Sequence, residues 1–328
     1  MELSTKQAIL GSASASGSLI QTGRVAANRR LCREHYRLTL AVAGFPLALP
    51  GQFVHLCPDP GPDDIGNAVP ESSGQRAEAV RVADYRSPLL RRAFSIADLR
   101  RTATRVEIDV IYRVVGTATR WMQTLQPGDA ASVLGPRGNL FPIHASKPVA
   151  WLVAGGVGLP PLIWLAEALH RAKKNVTAFC GAQSADLVAL TLDPARPPYP
   201  SAVEASFSAG EFTAHGAGVV ISTDDGTLGF RGHVGAALAA HFDAKRPDPA
   251  SLVVYTCGPE RMMHFVARFC AQRGIECYAC VERNMACGTG LCQSCVVPLH
   301  DDGDAEGWRY RLCCTDGPIF NASEIIWD

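Results

Sequence analysis

Cys287-Gly288-Thr289-Gly290-Leu291-Cys292-Gln293-Ser294-Cys295 places three cysteines at C-x4-C-x2-C spacing, and Cys313-Cys314 follows after a polar stretch. Four thiolates drawn from these two places can surround one small inorganic core. The glycines between Cys287 and Cys292 matter as much as the cysteines. A short loop wrapped around such a core turns tightly and aims several backbone N–H groups inward, and glycine reaches positive φ there at little steric cost.

This is the spacing of plant-type [2Fe–2S] sites. A structural zinc site pairs C-x2-4-C knuckles two and two; here the knuckles are unequal, which makes zinc the weaker reading. Unrelated buried cysteines would have to match the spacing by accident, with glycines at the tight positions. Disulfides fit poorly for reasons of compartment. The twelve cysteines sit in a chain of 328 residues whose small, polar run Gly11-Ser12-Ala13-Ser14-Ala15-Ser16-Gly17-Ser18 lacks a basic segment followed by an apolar one. No run of about 18 apolar residues suggests a membrane span. The expected compartment is a reducing cytoplasm, where grouped cysteines bind metal or do redox chemistry. Lys+Arg and Asp+Glu both number 31, so no nucleic-acid partner is expected.

Upstream of the cysteines the text divides the chain into domains, as its length suggests. Residues 1–20 read as a flexible tail. Residues 21–145 carry short alternating strands with turn signals, as in a small antiparallel barrel, interrupted at 57–87 by a segment rich in Pro, Gly, Asp, Ser and Glu that reads as a mobile surface insertion. Residues 146–273 alternate strand and helix, as in a doubly wound sheet. Residues 274–328 form the cysteine-rich terminal module.

The apolar run Pro148–Ala154 reads as a buried parallel strand leading through Gly155-Gly156-Val157-Gly158 into a helix. In a doubly wound fold a dinucleotide pyrophosphate meets backbone N–H groups and a helix N-terminus at that point. The full G-x-G-x-x-G fingerprint is absent, and a ligand-free β–α turn would read alike. Cys257-Gly258-Pro259 ends a later strand and strengthens the ligand reading, although Cys257 alone could be a small core residue. In the barrel, Arg92-Ala93-Phe94-Ser95 offers a guanidinium for a diphosphate, an aromatic face and a hydroxyl for a flavin ring; by spacing alone it reads as an ordinary strand with exposed arginines, and it gains force only beside the other sites. There is no H-E-x-x-H and no G-x-S-x-G, so metalloprotease and nucleophilic hydrolase chemistry lack support. His241 and His264 fall on helices and read as packed or surface residues.

Taken in order, these motifs resemble the ferredoxin-reductase superfamily and, more narrowly, the electron-transfer subunits of NAD-linked dihydroorotate dehydrogenases. The resemblance covers residues 24–320. It rests most on Leu89–Ile96, Tyr112–Gly116, Leu134-Gly135-Pro136-Arg137-Gly138-Asn139, Glu282–Gly288 and Cys314-Thr315-Asp316-Gly317-Pro318-Ile319-Phe320. It implies an FAD-binding antiparallel β-barrel, a Rossmann-like NAD-binding α/β domain and a small C-terminal [2Fe–2S] module.

By the same resemblance, Arg92, Ala93, Phe94 and Ser95, with Ile111, Tyr112, Arg113, Ala118 and Thr119, would hold FAD. Gly155, Gly156 and Gly158 would approach NAD, with Cys257, Gly258 and Pro259 near the nicotinamide. Cys287, Cys292, Cys295 and Cys314 would ligate the cluster. The D-G-P alignment selects Cys314 over Cys313. No catalytic side chain is expected, because the cofactors carry the chemistry. The implied partner is an FMN-containing dihydroorotate dehydrogenase catalytic subunit in a heterotetramer, with electrons passing by way of [2Fe–2S] and FAD to NAD⁺ in pyrimidine biosynthesis. An NAD(P)H:ferredoxin oxidoreductase or hydrogenase flavoprotein subunit shares the cofactor order, and a non-catalytic redox-sensing or zinc-binding module is the alternative of another class. Ala93 replaces a common proline, Ala118 replaces the glycine usual beside G-T, and the 57–87 insertion is unusual for the family. After the second strand of the α/β region, Gly181-Ala182-Gln183-Ser184 offers no neighbouring arginine for a 2′-phosphate, which favours NAD over NADP.

Overall fold

The computed structural model describes residues 20–59 and 90–327. The expected tail, apart from Ile20, and the expected insertion from residue 60 to 87 lie outside the described residues. Within them, Cys57 and Pro58 continue a strand.

Six strands close into an antiparallel barrel: β1 (Ile20–Arg30), β2 (His35–Val42), β3 (Phe53–Pro58), β4 (Arg92–Arg101), β5 (Val106–Arg113) and β6 (Ala130–Arg137), in the order β1-β2-β5-β4-β3-β6. The period of two sends every second side chain inward. Leu38, Leu40 and Val42 of β2, Val54 and Leu56 of β3, and Ile108, Val110 and Tyr112 of β5 fill the interior. Helix α1 (Thr117–Thr124) packs on it through Met122. The sequence suggests a turn at 116–119 before a helix at Arg120; the helix in fact starts at Thr117. Thr119 Oγ1 accepts the N–H groups of Val115 and Gly116 at 2.9 and 3.0 Å, satisfying donors that a helix start would otherwise leave open.

The second body is a seven-stranded sheet. It comprises β7 (Val149–Gly155), β8 (Asn175–Ala182), β9 (Gly218–Thr223), β10 (Phe230–Arg231), β11 (Leu252–Cys257), β12 (Glu276–Cys280) and β15 (Ile319–Asn321), ordered β10-β9-β8-β7-β11-β12-β15. All neighbours are parallel except β15, which runs antiparallel to β12. Helix α2 (Leu159–Arg171) covers one face with α3 (Gly210–Thr213); α4 (Val234–Lys245) and α5 (Glu260–Ala271) cover the other. Burial on both faces explains why these strands read as continuous apolar runs. The chain winds outward from β7 through β8 in one direction and from β11 through β12 in the other, so the switch point lies between β7 and β11.

The terminal segment adds the hairpin β13 (Val296–His300) and β14 (Trp308–Leu312). The division expected at residue 274 falls ahead of β12, which hydrogen-bonds into the large sheet, as β15 does. The cysteine segment is therefore built onto the sheet edge, an arrangement that long-range pairing decides and local pattern does not. No helix among the described residues is long and apolar enough to cross a membrane.

One buried carboxylate stiffens the barrel. Asp109 is 2% exposed; it accepts from Arg100 Nη1 and Nη2 at 3.1 and 2.9 Å and from Thr39 Oγ1 at 2.7 Å. Asp109→Ala takes the acceptor from Thr39 Oγ1 and Arg100 Nη2, while Arg100 Nη1 keeps Asp98, and is expected to cost about 2 kcal/mol, the magnitude for charged hydrogen bonds. Urea melts of the two proteins check this, and equal midpoints would rule out a stabilising role.

Candidate metal centre and cofactor sites

The loop from Cys287 to Cys295 turns as its glycines allow: Gly288 and Gly290 have φ of +68° and +86°. The N–H groups of Thr289 and Cys292 both point at Cys287 Sγ, each at 3.4 Å. Hydrogen bonds from Thr289, then from Cys292, pull the Cys287 thiol down to about 5, and Ser294 leads the lowering at Cys292. The thiols of Cys287 and Cys292 interact with each other, as do those of Cys295 and Cys314. Cys314 also receives the Gly290 N–H, while burial pushes it up to about 11. Cys313 points elsewhere: its Sγ donates to the Val281 carbonyl at 3.3 Å within the core, and burial pushes it well up.

This loop is fastened to the barrel by residues far away in sequence. Arg137 Nε donates to the Gly288 carbonyl at 2.9 Å. Asn139 Nδ2 donates to the carbonyls of Asp316 and Ile319, both at 2.8 Å, while its Oδ1 accepts the Ile319 N–H at 3.0 Å. Gly138 (φ +84°) lies so close to the terminal segment that a methyl there would be 2.7 Å from Pro318 Cδ. Leu134–Asn139 and Cys314–Phe320, two segments distinctive in the sequence, thus form the two sides of one seam.

At the switch point, the turn after β7 meets the turn after β11. Gly156 to Gly158 make one 3-10 turn leading into α2, with Pro160 and Pro161 in its first turn. A methyl on Gly158 would be 1.9 Å from the Cys257 carbonyl oxygen, and one on Gly155 would be 2.6 Å from Met262 Sδ. Gly156, at φ +53°, has nothing within 4 Å of a built methyl, so its backbone is open to a ligand. Gly258, at φ +152°, closes tightly on Gly155. The structure therefore brings Gly155, Gly156, Gly158, Cys257, Gly258 and Pro259 together.

The expected barrel residues divide. Arg92 presents an exposed guanidinium, with Nη1 on the Leu90 and Arg91 carbonyls. Phe94 meets Tyr112 edge-on at 6.4 Å, and Ser95 pairs with Phe53 across β3 and β4. Ile111 and Tyr112, by contrast, bury their side chains; the Tyr112 hydroxyl bonds to Asn28 Oδ1 at 3.2 Å. Their strand can offer a ligand backbone and Arg113, whose Nε is 2.6 Å from Glu34. Ala118 and Thr119 lie in the first turn of α1, where the Thr119 hydroxyl is engaged with local backbone.

Comparison with known proteins follows the same division. Residues 24–140 match the siderophore-interacting FAD-binding domain, and residues 282–326 match the iron–sulfur cluster binding domain of dihydroorotate dehydrogenase B. The electron transfer subunit of dihydroorotate dehydrogenase B (NAD(+)) from Desulforamulus reducens is 31% identical over 284 residues, covering 86% of this chain and 88% of the relative. Its counterpart from Bacillus caldolyticus is 32% identical over 308 residues, covering 92% and 96%. This chain belongs to the family of dihydroorotate dehydrogenase B electron transfer subunits. The fold is shared more widely. An NADH-dependent reduced ferredoxin–NADP oxidoreductase superimposes with a TM-score of 0.68 at 22% identity, over 95% of this chain and 92% of that one. The ferredoxin reductase of carbazole 1,9a-dioxygenase gives 0.54 at 17% identity, over 78% and 66%.

In this member of the dihydroorotate dehydrogenase B family, the thiol arrangement suits a two-metal core. The thiols of Cys287 and Cys292 interact, as do those of Cys295 and Cys314, and two backbone N–H groups point at Cys287 Sγ; these four thiols would hold such a core. Sequence reading did not mark Arg137, Asn139 or His55 as functional. The first two stood inside a quoted motif without a role. A histidine in the otherwise apolar strand Phe53-Val54-His55-Leu56 was the available signal for the third.

Proposed function

We propose that this chain serves as the electron-transfer subunit of an NAD-linked dihydroorotate dehydrogenase. A partner subunit holding FMN oxidises dihydroorotate to orotate in pyrimidine biosynthesis, and this chain delivers the electrons to NAD⁺. The observation that carries the reading is the seam of Arg137 and Asn139 with the cysteine loop, which holds the paired thiols against the barrel whose Arg92 strand suits a flavin nucleotide. When bound, FAD and a [2Fe–2S] core supply the interconversion of one-electron and hydride chemistry that such a subunit needs.

The chain's own residues do the holding. Cys287, Cys292, Cys295 and Cys314 would ligate the core. Arg92 would bind the FAD diphosphate through paired donors, with Ala93, Phe94, Ser95 and the backbone from Ile111 to Arg113 alongside. Gly156 leaves the start of α2 open to the pyrophosphate of NAD, and Cys257, Gly258 and Pro259 would wall the nicotinamide end. Leu291, 85% exposed at the tip of the cysteine loop, gives the FMN subunit an apolar contact beside the core, in a heterotetramer. A reducing cytoplasm suits a chain with twelve cysteines.

The preference for NAD needs one amendment. The turn after β8 has no arginine next to it in sequence, yet the tertiary structure brings Arg33 to it, with Nη1 2.9 Å from Asp186. Neutralised by that carboxylate, Arg33 is poorly placed to reward a 2′-phosphate, and kcat/KM for NADH is expected to exceed that for NADPH. Anaerobic co-purification from the native host, followed by an assay of dihydroorotate-dependent NAD⁺ reduction, tests the whole reading. The expected result is an FMN-containing partner and NADH formation; a ferredoxin or hydrogenase partner in its place would overturn it.

A further inference from the structure

One side chain outside the sites assigned above is out of keeping with its surroundings. His55 lies on β3 between Val54 and Leu56, both of which point into the barrel. By the alternation of a strand its ring points the opposite way, as does that of Phe53, which joins the core shared with the terminal segment. Ala93, its partner in register, packs on that same core. His55 is fully buried, and neither ring nitrogen has a hydrogen-bond partner among the described residues. A buried donor left unsatisfied costs about 1–3 kcal/mol, so a group outside the described residues is the natural partner.

The geometry says where that group sits. The Cε1–Nε2 edge of the ring lies against Gly288: a methyl built there would be 2.6 Å from both atoms. Gly288 follows Cys287 directly, and its carbonyl is gripped by Arg137 from the same barrel face. Burial, with the charges of Arg91, Arg137 and Arg92, disfavours a protonated ring. A neutral imidazole carries one N–H donor and one lone pair, and the groups an iron–sulfur core presents to a neighbour are electron-rich sulfurs.

We propose that His55 is a positioning residue for the metal centre, donating its ring N–H from the barrel to a sulfur of the core held by the Cys287 loop. The inference rests on the cluster reading given above. Reduction adds negative charge to the sulfurs, so a donor stabilises the reduced core more than the oxidised one. Hydrogen bonds to the sulfurs are among the determinants of such potentials. His55 therefore raises the electron affinity of the core and links it to the barrel.

The test uses the full chain with its cofactors, prepared anaerobically, and reads the midpoint potential of the cluster by EPR-monitored titration. His55→Phe keeps a ring but removes both nitrogens; it is expected to lower the electron affinity of the cluster about tenfold, or 59 mV for one electron, with iron content and flavin midpoint unchanged. His55→Gln keeps an N–H and is expected to recover most of the loss. A cluster potential unmoved in both variants, or a shift confined to the flavin, overturns the inference. If His55→Phe does not fold, the wild-type chain still decides. With ¹⁵N-labelled histidine, pulsed EPR of the reduced cluster should detect a weakly coupled ring nitrogen that is lost in His55→Gln, and its absence overturns the proposal. A wild-type chain that retains no iron would overturn the cluster reading and this inference together, whereas iron without that nitrogen overturns this inference alone.

Discussion

Cys314→Ser is expected to strip or destabilise the cluster, and Cys313→Ser to leave its spectrum nearly intact. The two thiols are adjacent in sequence but have different hydrogen-bond partners. Cys314 interacts with the Cys295 thiol and receives the Gly290 N–H, inside the loop that presents Cys287 and Cys292. Cys313 is 0% exposed and its thiol is engaged in donating to the Val281 carbonyl. Serine at 314 replaces a soft sulfur with a hard hydroxyl, and at least half of the iron should be lost on purification. At 313, serine keeps a donor for Val281 and costs only a buried-volume change, about 1 kcal/mol. Iron content, visible absorbance and EPR of the two variants decide the matter. A normal cluster in Cys314→Ser beside a missing one in Cys313→Ser would reverse the ligand assignment.

Gly158→Ala should be nearly as damaging, but to a different function. At φ −74° the backbone of Gly158 suits any residue, so the obstacle is space. The added methyl would lie 1.9 Å from the Cys257 carbonyl oxygen and 2.3 Å from its carbon, and backbone atoms do not move aside as side chains do. The turns after β7 and β11 would have to part, displacing the start of α2 from Cys257-Gly258-Pro259. Overpacking of this kind costs about 1–3 kcal/mol in stability. The expected functional loss is on the order of 100-fold in kcat/KM for NADH-driven dye reduction, since small misplacements at a reacting site carry penalties of that size. FAD and cluster spectra should persist, because both sites lie elsewhere. Gly156→Ala is the informative companion: its methyl meets nothing, and the strain of φ +53° costs about 1 kcal/mol. A large NADH defect there would report on ligand approach alone, and full NADH activity in Gly158→Ala would exclude this turn from the nucleotide site.

Much of this architecture was legible along the chain because its signals are local. The C-x4-C-x2-C spacing needs only neighbours to define a metal loop, and its glycines adopt the expected positive φ. Alternation in β2 and β5 and the continuous apolar runs of β7 and β11 report one-faced and two-faced burial directly. Other features depended on contacts across the fold. Ile111 and Tyr112 stood in a segment resembling a flavin-binding strand, yet the fold buries both side chains, Tyr112 inside the barrel and Ile111 in the core of the neighbouring sheet. The start of the cysteine segment read as a separate module, although β12 and β15 hydrogen-bond into the large sheet. Arg33 was too distant in sequence to be connected with the turn after β8.

By itself, then, the sequence determined the order of a barrel, a doubly wound sheet and a cysteine loop, since periodicity, turn chemistry and thiol spacing are properties of short stretches. Only the tertiary structure decided which way neighbouring side chains face and what lies across each seam. It sends the Cys313 thiol into the core beside Val281, fastens Arg137 and Asn139 to the terminal segment, and sets an unpartnered His55 against Gly288. The physical reason is that direction and satisfaction of a buried polar group depend on the surfaces packed around it, and those surfaces come from parts of the chain far apart in sequence.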